Sequence, residues 1–283
     1  IEKADPVRRA GLRASLIRQT QRILPVVVIV KNDGDYLQAI ASWEGPMRFP
    51  ILIDDGTAQA RENIARFVRK FKPEKVLEYT PKDAQGFAPT REGREVQINK
   101  AFGRALNDRS VSWEVAFEEL RKNDVYSPGI VVTDANDPAW AAALALAAGR
   151  IQPLLYVSDV QTPRAKDLTP AQGDALEVEI ERAVESKRFR WREIGDEIDT
   201  ITLALNISTR IKTGAKARDS VATSDRIGRT DGGGSGVRWA YAGQIIGTTE
   251  GCVYQAMCAL FLEIDSAFLW DGYTDKNLGL ITT

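Results

Sequence analysis

Apolar residues along the chain fall into short β-branched runs separated by segments with helical spacing. The first run, PVVVIV from Pro25, predicts a strand. A turn follows it, and then a helix over YLQAIASWEG with Asp35 as its N-cap. A second run, FPILIDDGT, predicts a strand that ends in two acids and a glycine. Thr57 is expected to cap the next helix, which Pro73 ends before a third strand, KVLEY.

The same plan returns from Gly129. GIVVTDAND predicts a strand, and Asp137 is expected to cap an Ala-rich helix with Pro138 at its first position. The small side chains of this helix predict close packing between a sheet and a neighbouring element. QPLLYVSD and DTITLALNI predict two further strands, with a long amphipathic helix between them.

Equal spacing supports a relation between these two segments. Tyr36 and Asp55 are 19 positions apart, and so are Trp140 and Asp159. A weaker third copy follows near the end of the sequence, where VRWAYAGQIIG predicts a strand and TTEGCVYQAMCALFLE a helix capped by Thr248 or Thr249. SAFLWDGY then predicts a strand that reaches Asp271.

The recurring strand–helix–strand order predicts an α/β fold. We expect a mostly parallel sheet with helices on both faces, built from two or three repeated β-α-β units. The expected divisions are 1–80, a first α/β repeat unit with an N-terminal helix; 81–126, a helical connector; 127–206, a second α/β repeat unit; 207–236, a polar mobile loop; and 237–283, a third, divergent β-α-β unit.

Composition narrows the classes of partner. The 283 residues carry a net charge of -1, which gives no overall field to attract nucleic acid or an anionic membrane. No apolar run approaches the roughly 20 residues that span a bilayer, so no membrane span is expected. The sequence begins at Ile1 rather than Met, which indicates a piece of a larger protein and leaves the compartment open, with an extracytoplasmic or cell-surface location favoured.

The absence of histidine excludes several kinds of chemistry. A chain with no histidine has no Ser-His-Asp triad, no Cys-His dyad, no histidine-ligated zinc and no imidazole switch. The two cysteines, Cys252 and Cys258, lie six positions apart in an apolar helix, so we expect buried free thiols and no mutual disulfide. Carboxylate chemistry, lysine chemistry and oxygen-ligated metals remain.

Two stretches carry a resemblance to a known family. YLQAIASWEGPMRFPILIDDG and PAWAAALALAAGRIQPLLYVSD resemble the type-two cell-wall-binding repeat, and the third copy does so loosely. The resemblance implies α/β modules, often three together, that attach bacterial surface proteins to anionic wall polymers. The sequence departs from the family pattern where its second strands end in acids and where KVLEY is not followed by two glycines.

Acids at the carboxyl ends of the predicted parallel strands are the candidate ligand-binding residues, because ligands of open α/β sheets bind at that edge. They are Asp33, Asp54, Asp55, Asp134, Asp159 and Asp271. Clustered carboxylates would bind Mg²⁺ or Ca²⁺ or form an acid–base pair, and no other cofactor is expected. The alternative interpretation makes them helix caps and solvated turn residues.

The stretch GRTDGGGSGVRW is rich in glycine and lacks the Lys-Ser/Thr ending of a phosphate loop, so it predicts a flexible connector. The leading hypothesis is therefore a non-catalytic α/β binding or scaffolding module of a larger bacterial protein, associated with the cell envelope. Its expected partners are an anionic envelope polymer or other domains of the parent protein. The alternative is a metal- or carboxylate-dependent hydrolase that uses the strand-end aspartates.

Overall fold

A computed structural model describes residues 6–81, 86–106, 127–156, 200–205, 240–245 and 247–262, together with the single positions 113, 115 and 122. Within these ranges the helices are, in chain order, α1 (Pro6–Thr20), α2 (Asp33–Ala41), α3 (Ala58–Phe71), α4 (Arg91–Leu106), α5 (Trp140–Arg150) and α6 (Thr249–Phe261). The strands are β1 (Arg22–Ile23), β2 (Val26–Val30), β3 (Met47–Arg48), β4 (Ile51–Ile53), β5 (Lys75–Glu78), β6 (Ile130–Thr133), β7 (Leu154–Tyr156), β8 (Thr200–Ala204) and β9 (Ala240–Ile245).

All pairings among these strands are parallel. One sheet has the order β4-β2-β5, a second has the order β7-β6-β8-β9, and β1 pairs with β3. The predicted α/β class with parallel strands is therefore confirmed. The described strands form separate sheets rather than one. In addition, β9, which the sequence analysis assigned to a third unit, lies in the second sheet beside β8.

The two larger sheets share the order of their first three strands. In each, the first strand lies between the second and the third. The Val28 amide donates to the Pro50 carbonyl at 2.9 Å, and the Val131 amide donates to the Pro153 carbonyl at 3.0 Å. These two bonds lie 103 positions apart in the sequence. Tyr36 and Trp140 are 104 positions apart. The separation between these helix aromatics is therefore one residue longer than the separation between the strand bonds.

Helix starts follow the expected residue types, with two differences. Thr57 and Thr248 cap α3 and α6 through their hydroxyls, as predicted. Asn32, not Asp35, caps α2, because its side-chain oxygen accepts the Asp35 amide at 3.0 Å. Asp137 accepts the Ala139 amide at 2.8 Å and braces a turn, and α5 begins only at Trp140. Asp35 thus lies three positions after the N-cap of α2, and Asp137 lies two positions before Ala139, the N-cap of α5.

The Ala-rich helix α5 lies in the centre of the core. Every residue from Ala141 to Ala148 has no exposed surface. On one side α5 contacts β6, β7 and β8, and on another it contacts α6. The approach to α6 is so close that a Cβ atom on Gly149 would lie 2.7 Å from Leu260 Cδ2. The predicted close packing of this helix is confirmed.

The last carbonyls of α5 and α6 accept hydrogen bonds from distant arginines. Arg48 donates to the Ala148 carbonyl at 3.2 Å, and Arg18 donates to the Leu260 carbonyl at 3.0 Å. A cation is favoured at this end of a helix by the helix dipole. Burial lowers the pKa of Arg48 to about 10, and its guanidinium also lies 5.3 Å from the centre of the Trp43 ring. These contacts tie α1 and β3 to the central helices.

Candidate functional site

Four of the six candidate aspartates lie in the part of the chain that the structure describes. Asp33, Asp54, Asp55 and Asp134 all follow the carboxyl end of a strand, as predicted. Asp159 and Asp271 lie outside the described residues, and so do the GRTDGGGSGVRW stretch and the strand predicted over SAFLWDGY.

Asp134 is held by an arginine from α4. Its side chain is 1% exposed and forms an ion pair with Arg91, whose Nε also lies 3.3 Å from Asp134 Oδ1. The same Oδ1 accepts the Asn136 amide at 2.8 Å. A buried carboxylate needs such partners to stay charged, because loss of its hydration would otherwise favour the neutral, protonated form. The observed role of Asp134 is therefore to dock the start of α4 onto the end of β6.

Arg94, one turn along α4, contacts the loop that follows β6 and the segment that precedes α4. Its guanidinium donates to Asn136 Oδ1 at 3.2 Å and stacks 4.7 Å from the centre of the Phe87 ring. Phe87 in turn stacks on Trp140 with 4.5 Å between ring centres. Burial raises the pKa of Asp33, and the positive charge of Arg94 lowers it to a smaller extent. Asp134 is thus paired with Arg91 of α4, whereas Asp33 is only within the electrostatic influence of Arg94 of the same helix.

Asp54 and Asp55 have the roles of turn residues. Asp54 Oδ1 accepts the Gly56 amide at 3.0 Å, and Asp55 Oδ1 accepts the Thr57 amide at 2.9 Å. Asp54 also lies 3.6 Å from the Lys31 ammonium. Among the described residues, no group of three or more histidine, cysteine, aspartate or glutamate side chains is arranged to hold a metal ion. The contacts of Asp54 and Asp55 are those of turn residues, whereas Asp134 is buried and paired with Arg91.

A cavity of about 460 Å³ lies between α2 and α4, beside the residue that follows β5. Gly34, in the first turn of α2, and Tyr79, directly after β5, both line it. In a sheet of order β4-β2-β5, β4 is added on one side of β2 and β5 on the other side. The direction in which strands are added therefore reverses between β2 and β5. The carboxyl ends of those two strands are where open α/β sheets bind ligands. The end of the cavity that is formed by Gly34 and Tyr79 therefore lies at the switch point of the first sheet, and the cavity continues along α2 beyond its last residue.

The cavity has an apolar floor and a charged rim. Small and apolar side chains come from both helices. Polar side chains come from the middle of α2, from the positions just beyond its end, from the second half of α4 and from Tyr79. The apolar lining residues are Leu37, Ala41 and Ala101, and the polar ones are Gln38, Ser42, Glu44, Tyr79, Gln97, Lys100 and Arg104. A volume of this size accommodates a small molecule or one unit of a polymer.

Sequence reasoning did not find this site. Gln97, Lys100 and Arg104 recur at helical spacing on α4, which is a signal for one polar face. The pattern alone does not distinguish a solvated face from the wall of a cavity. What makes it a wall is α2, which is more than 50 positions earlier in the chain.

The two thiols are buried and their pKa values are raised. Cys252 and Cys258 are free and buried. Burial raises the pKa of both, that of Cys258 to about 11, and nearby Asp137 and Glu250 raise that of Cys252 further. The expectation of buried free thiols is confirmed, and neither is poised as a nucleophile.

Comparison with known proteins gives no family. No protein-family model matches the chain, and neither a curated protein nor a solved structure matches it. Within the described ranges, none of the helices combines the length and the apolar character needed to cross a bilayer. What the chain does must therefore be argued from its own geometry.

Proposed function

We propose that this chain is a non-catalytic binding module and that the cavity between α2 and α4 is its ligand site. The observation that carries the proposal is a small-molecule-sized cavity between α2 and α4, one end of which, at Gly34 and Tyr79, lies at the switch point of the first sheet. Lys100 and Arg104 lie on its rim, one turn apart on the same helix. Two cations on one wall favour a ligand with an anionic group.

The resemblance to cell-wall-binding repeats supplies a class of ligand. An anionic envelope polymer would present one charged unit to Lys100 and Arg104, with its neighbouring units outside the cavity. We further propose that the first unit, 1–80, and the second unit, 127–206, are related copies, since their first three strands share one order and a proline carbonyl in each accepts an amide at the corresponding strand position. In this proposal the parent protein is bacterial and associated with the cell envelope.

The hydrolase alternative has less support. It needs strand-end carboxylates that are free to bind a metal or to move a proton. Asp134 is instead paired with Arg91, and Asp54 lies beside Lys31. Calorimetric titration with Mg²⁺ and Ca²⁺, repeated on Asp55→Asn and Asp134→Asn, separates the two functions. Binding of either ion that both substitutions abolish would favour the hydrolase.

The binding proposal is tested by pull-down on purified anionic wall polymer. The double variant K100Q/R104Q should lose binding, and the loss should resemble that caused by raised salt. R69Q/K70Q is the matched control, because it removes the same charge from exposed positions on α3. Equal binding by both double variants would show that net charge, not the cavity, holds the polymer.

A further inference from the structure

The cavity between α2 and α4 carries both signs of charge, and this makes its ligand class more specific. Lys100 lies on α4, whereas Glu44 lies just beyond the end of α2. Among the described residues, neither the Lys100 ammonium nor the Glu44 carboxylate has a hydrogen-bond or ion-pair partner. The Tyr79 hydroxyl likewise has no partner in the described part of the chain.

Other polar groups of the cavity are already engaged. Gln97 uses both ends of its amide, since its oxygen accepts the Ala88 amide at 2.8 Å and its nitrogen donates to the Gly86 carbonyl at 3.0 Å. The Ser42 hydroxyl donates to the Ala39 carbonyl at 2.6 Å. Gln38 and Arg104 also have interactions of their own. Among the cavity's polar side chains, a ligand therefore meets the Lys100 ammonium, the Glu44 carboxylate and the Tyr79 hydroxyl as groups without a partner in the described part of the chain.

We infer that the cavity binds a zwitterion, namely an amino acid or a short peptide with free termini. This inference rests on the proposed function of the cavity as a ligand site. A purely anionic ligand would gain from Lys100 and Arg104, but it would be repelled by Glu44 and would leave that carboxylate without a partner. A ligand with a carboxylate and an ammonium satisfies both groups and leaves its apolar part to Leu37 and Ala101.

The dimensions fit a dipeptide. The α2 wall from Gly34 to Ala41 is about 10 Å long at 1.5 Å per helical residue. An extended dipeptide spans about 7 Å. Glycyl-leucine is the probe of choice, because it carries one ammonium, one carboxylate and one aliphatic side chain.

The experiment compares three probes by isothermal calorimetry on the full chain. Glycyl-leucine should bind about tenfold more tightly than N-acetylglycyl-leucine, which lacks the cation, and than glycyl-leucinamide, which lacks the anion. Glu44→Gln should abolish the preference for the free amine and keep the preference for the free carboxylate. Lys100→Gln should abolish the preference for the free carboxylate and keep the preference for the free amine. Glu62→Gln and Lys70→Gln, exposed on α3, are the matched controls and should change neither preference.

The outcomes distinguish this inference from the proposal on which it rests. If the acetylated peptide binds as tightly as the free one, or if Glu44→Gln leaves the preference unchanged, the zwitterion is wrong and the cavity remains a site for an anion. If neither the three peptides nor the wall polymer binds, both the ligand class and the proposed function are overturned. Unchanged circular dichroism of each variant shows that the fold is retained.

Discussion

Tyr36 and Trp140 meet edge to face, with 5.9 Å between ring centres and an interplanar angle of 79°. One aromatic belongs to α2 beside the first sheet and the other to α5 beside the second. The Tyr36 hydroxyl also donates to the Ala141 carbonyl at 2.9 Å, and the contact is fully buried. This pair therefore joins the two sheet units through the helices that follow their first strands.

Tyr36→Phe should keep the ring contact and remove the buried hydrogen bond to Ala141. The loss of such a bond costs about 1 kcal/mol of unfolding free energy. Tyr79→Phe is the control, since the Tyr79 hydroxyl has no partner among the described residues, and its effect should stay below about 0.5 kcal/mol. Urea denaturation measures both. Equal effects would show that the Tyr36 bond contributes nothing.

Arg91→Met should destabilise the protein by about 3 kcal/mol, because it leaves the buried Asp134 carboxylate without its charge partner. Arg66→Met supplies the comparison. Arg66 pairs with Glu62 one turn away on α3, but both side chains are about half exposed, and such a pair is worth about 0.5 kcal/mol or less. A small loss at Arg91, similar to that at Arg66, would contradict the docking role of Asp134.

Gly149→Ala should destabilise the packing of α5 on α6 by about 1–3 kcal/mol, because the new methyl group would overlap Leu260. Gly86→Ala is the control, since a Cβ there meets nothing within 4 Å. Leu260→Ala removes the side-chain atoms that the new methyl group would overlap, so Gly149→Ala should cost less in the Leu260→Ala background than in the wild type. Thermal unfolding of the wild type, the three single variants and the double variant tests this, and an equal cost of Gly149→Ala in both backgrounds would point to a different cause.

Glu250→Gln should stabilise the protein at neutral pH. Burial raises the pKa of Glu250, and the charge of Asp55 raises it further, whereas the hydrogen bond from Asn63 lowers it. A carboxyl whose folded pKa is raised contributes stability at low pH that is lost as pH rises through that pKa. In the wild type, the Asn63 side-chain amide donates to Glu250 Oε1 at 2.9 Å. Glutamine keeps an acceptor oxygen for this amide but removes the buried charge.

The gain from Glu250→Gln should therefore shrink as the pH falls below the raised pKa. Unfolding free energies of the wild type and the variant between pH 4 and 8 give the measurement. Glu62→Gln, at an exposed position, provides the baseline. A gain that is the same at every pH would mean that the charge of Glu250 is not its source.

Cys252 and Cys258 should resist labelling by a thiol reagent in the folded protein. With a pKa of about 11, Cys258 is ionised to the thiolate in only about one molecule in a thousand at pH 8. Burial also limits the access of the reagent. In denaturant both thiols should react at the rate of free cysteine. Rapid labelling of either thiol under native conditions would contradict the observed burial.

The sequence by itself determined the elements of this protein that depend on neighbouring residues. Apolar runs fixed the positions of β2, β4 and β6, and the threonines at 57 and 248 fixed the starts of α3 and α6. Caps and periodicity act within a few residues, so they can be read from the chain. The cap at Asn32 was missed because Asn32 and Asp35 both lie near the start of α2 and are both favoured at an N-cap.

Only the tertiary structure decided which side chains meet. Asp134 and Arg91 are 43 positions apart, and nothing in either local pattern indicates that α4 docks on the end of β6. The cavity likewise exists because α2 and α4 pack with a gap between them, which brings Glu44 and Lys100 to one rim. Contacts of this kind depend on how whole helices and strands pack together. That packing buries residues that are far apart in the chain, and a local sequence pattern does not indicate which of them meet.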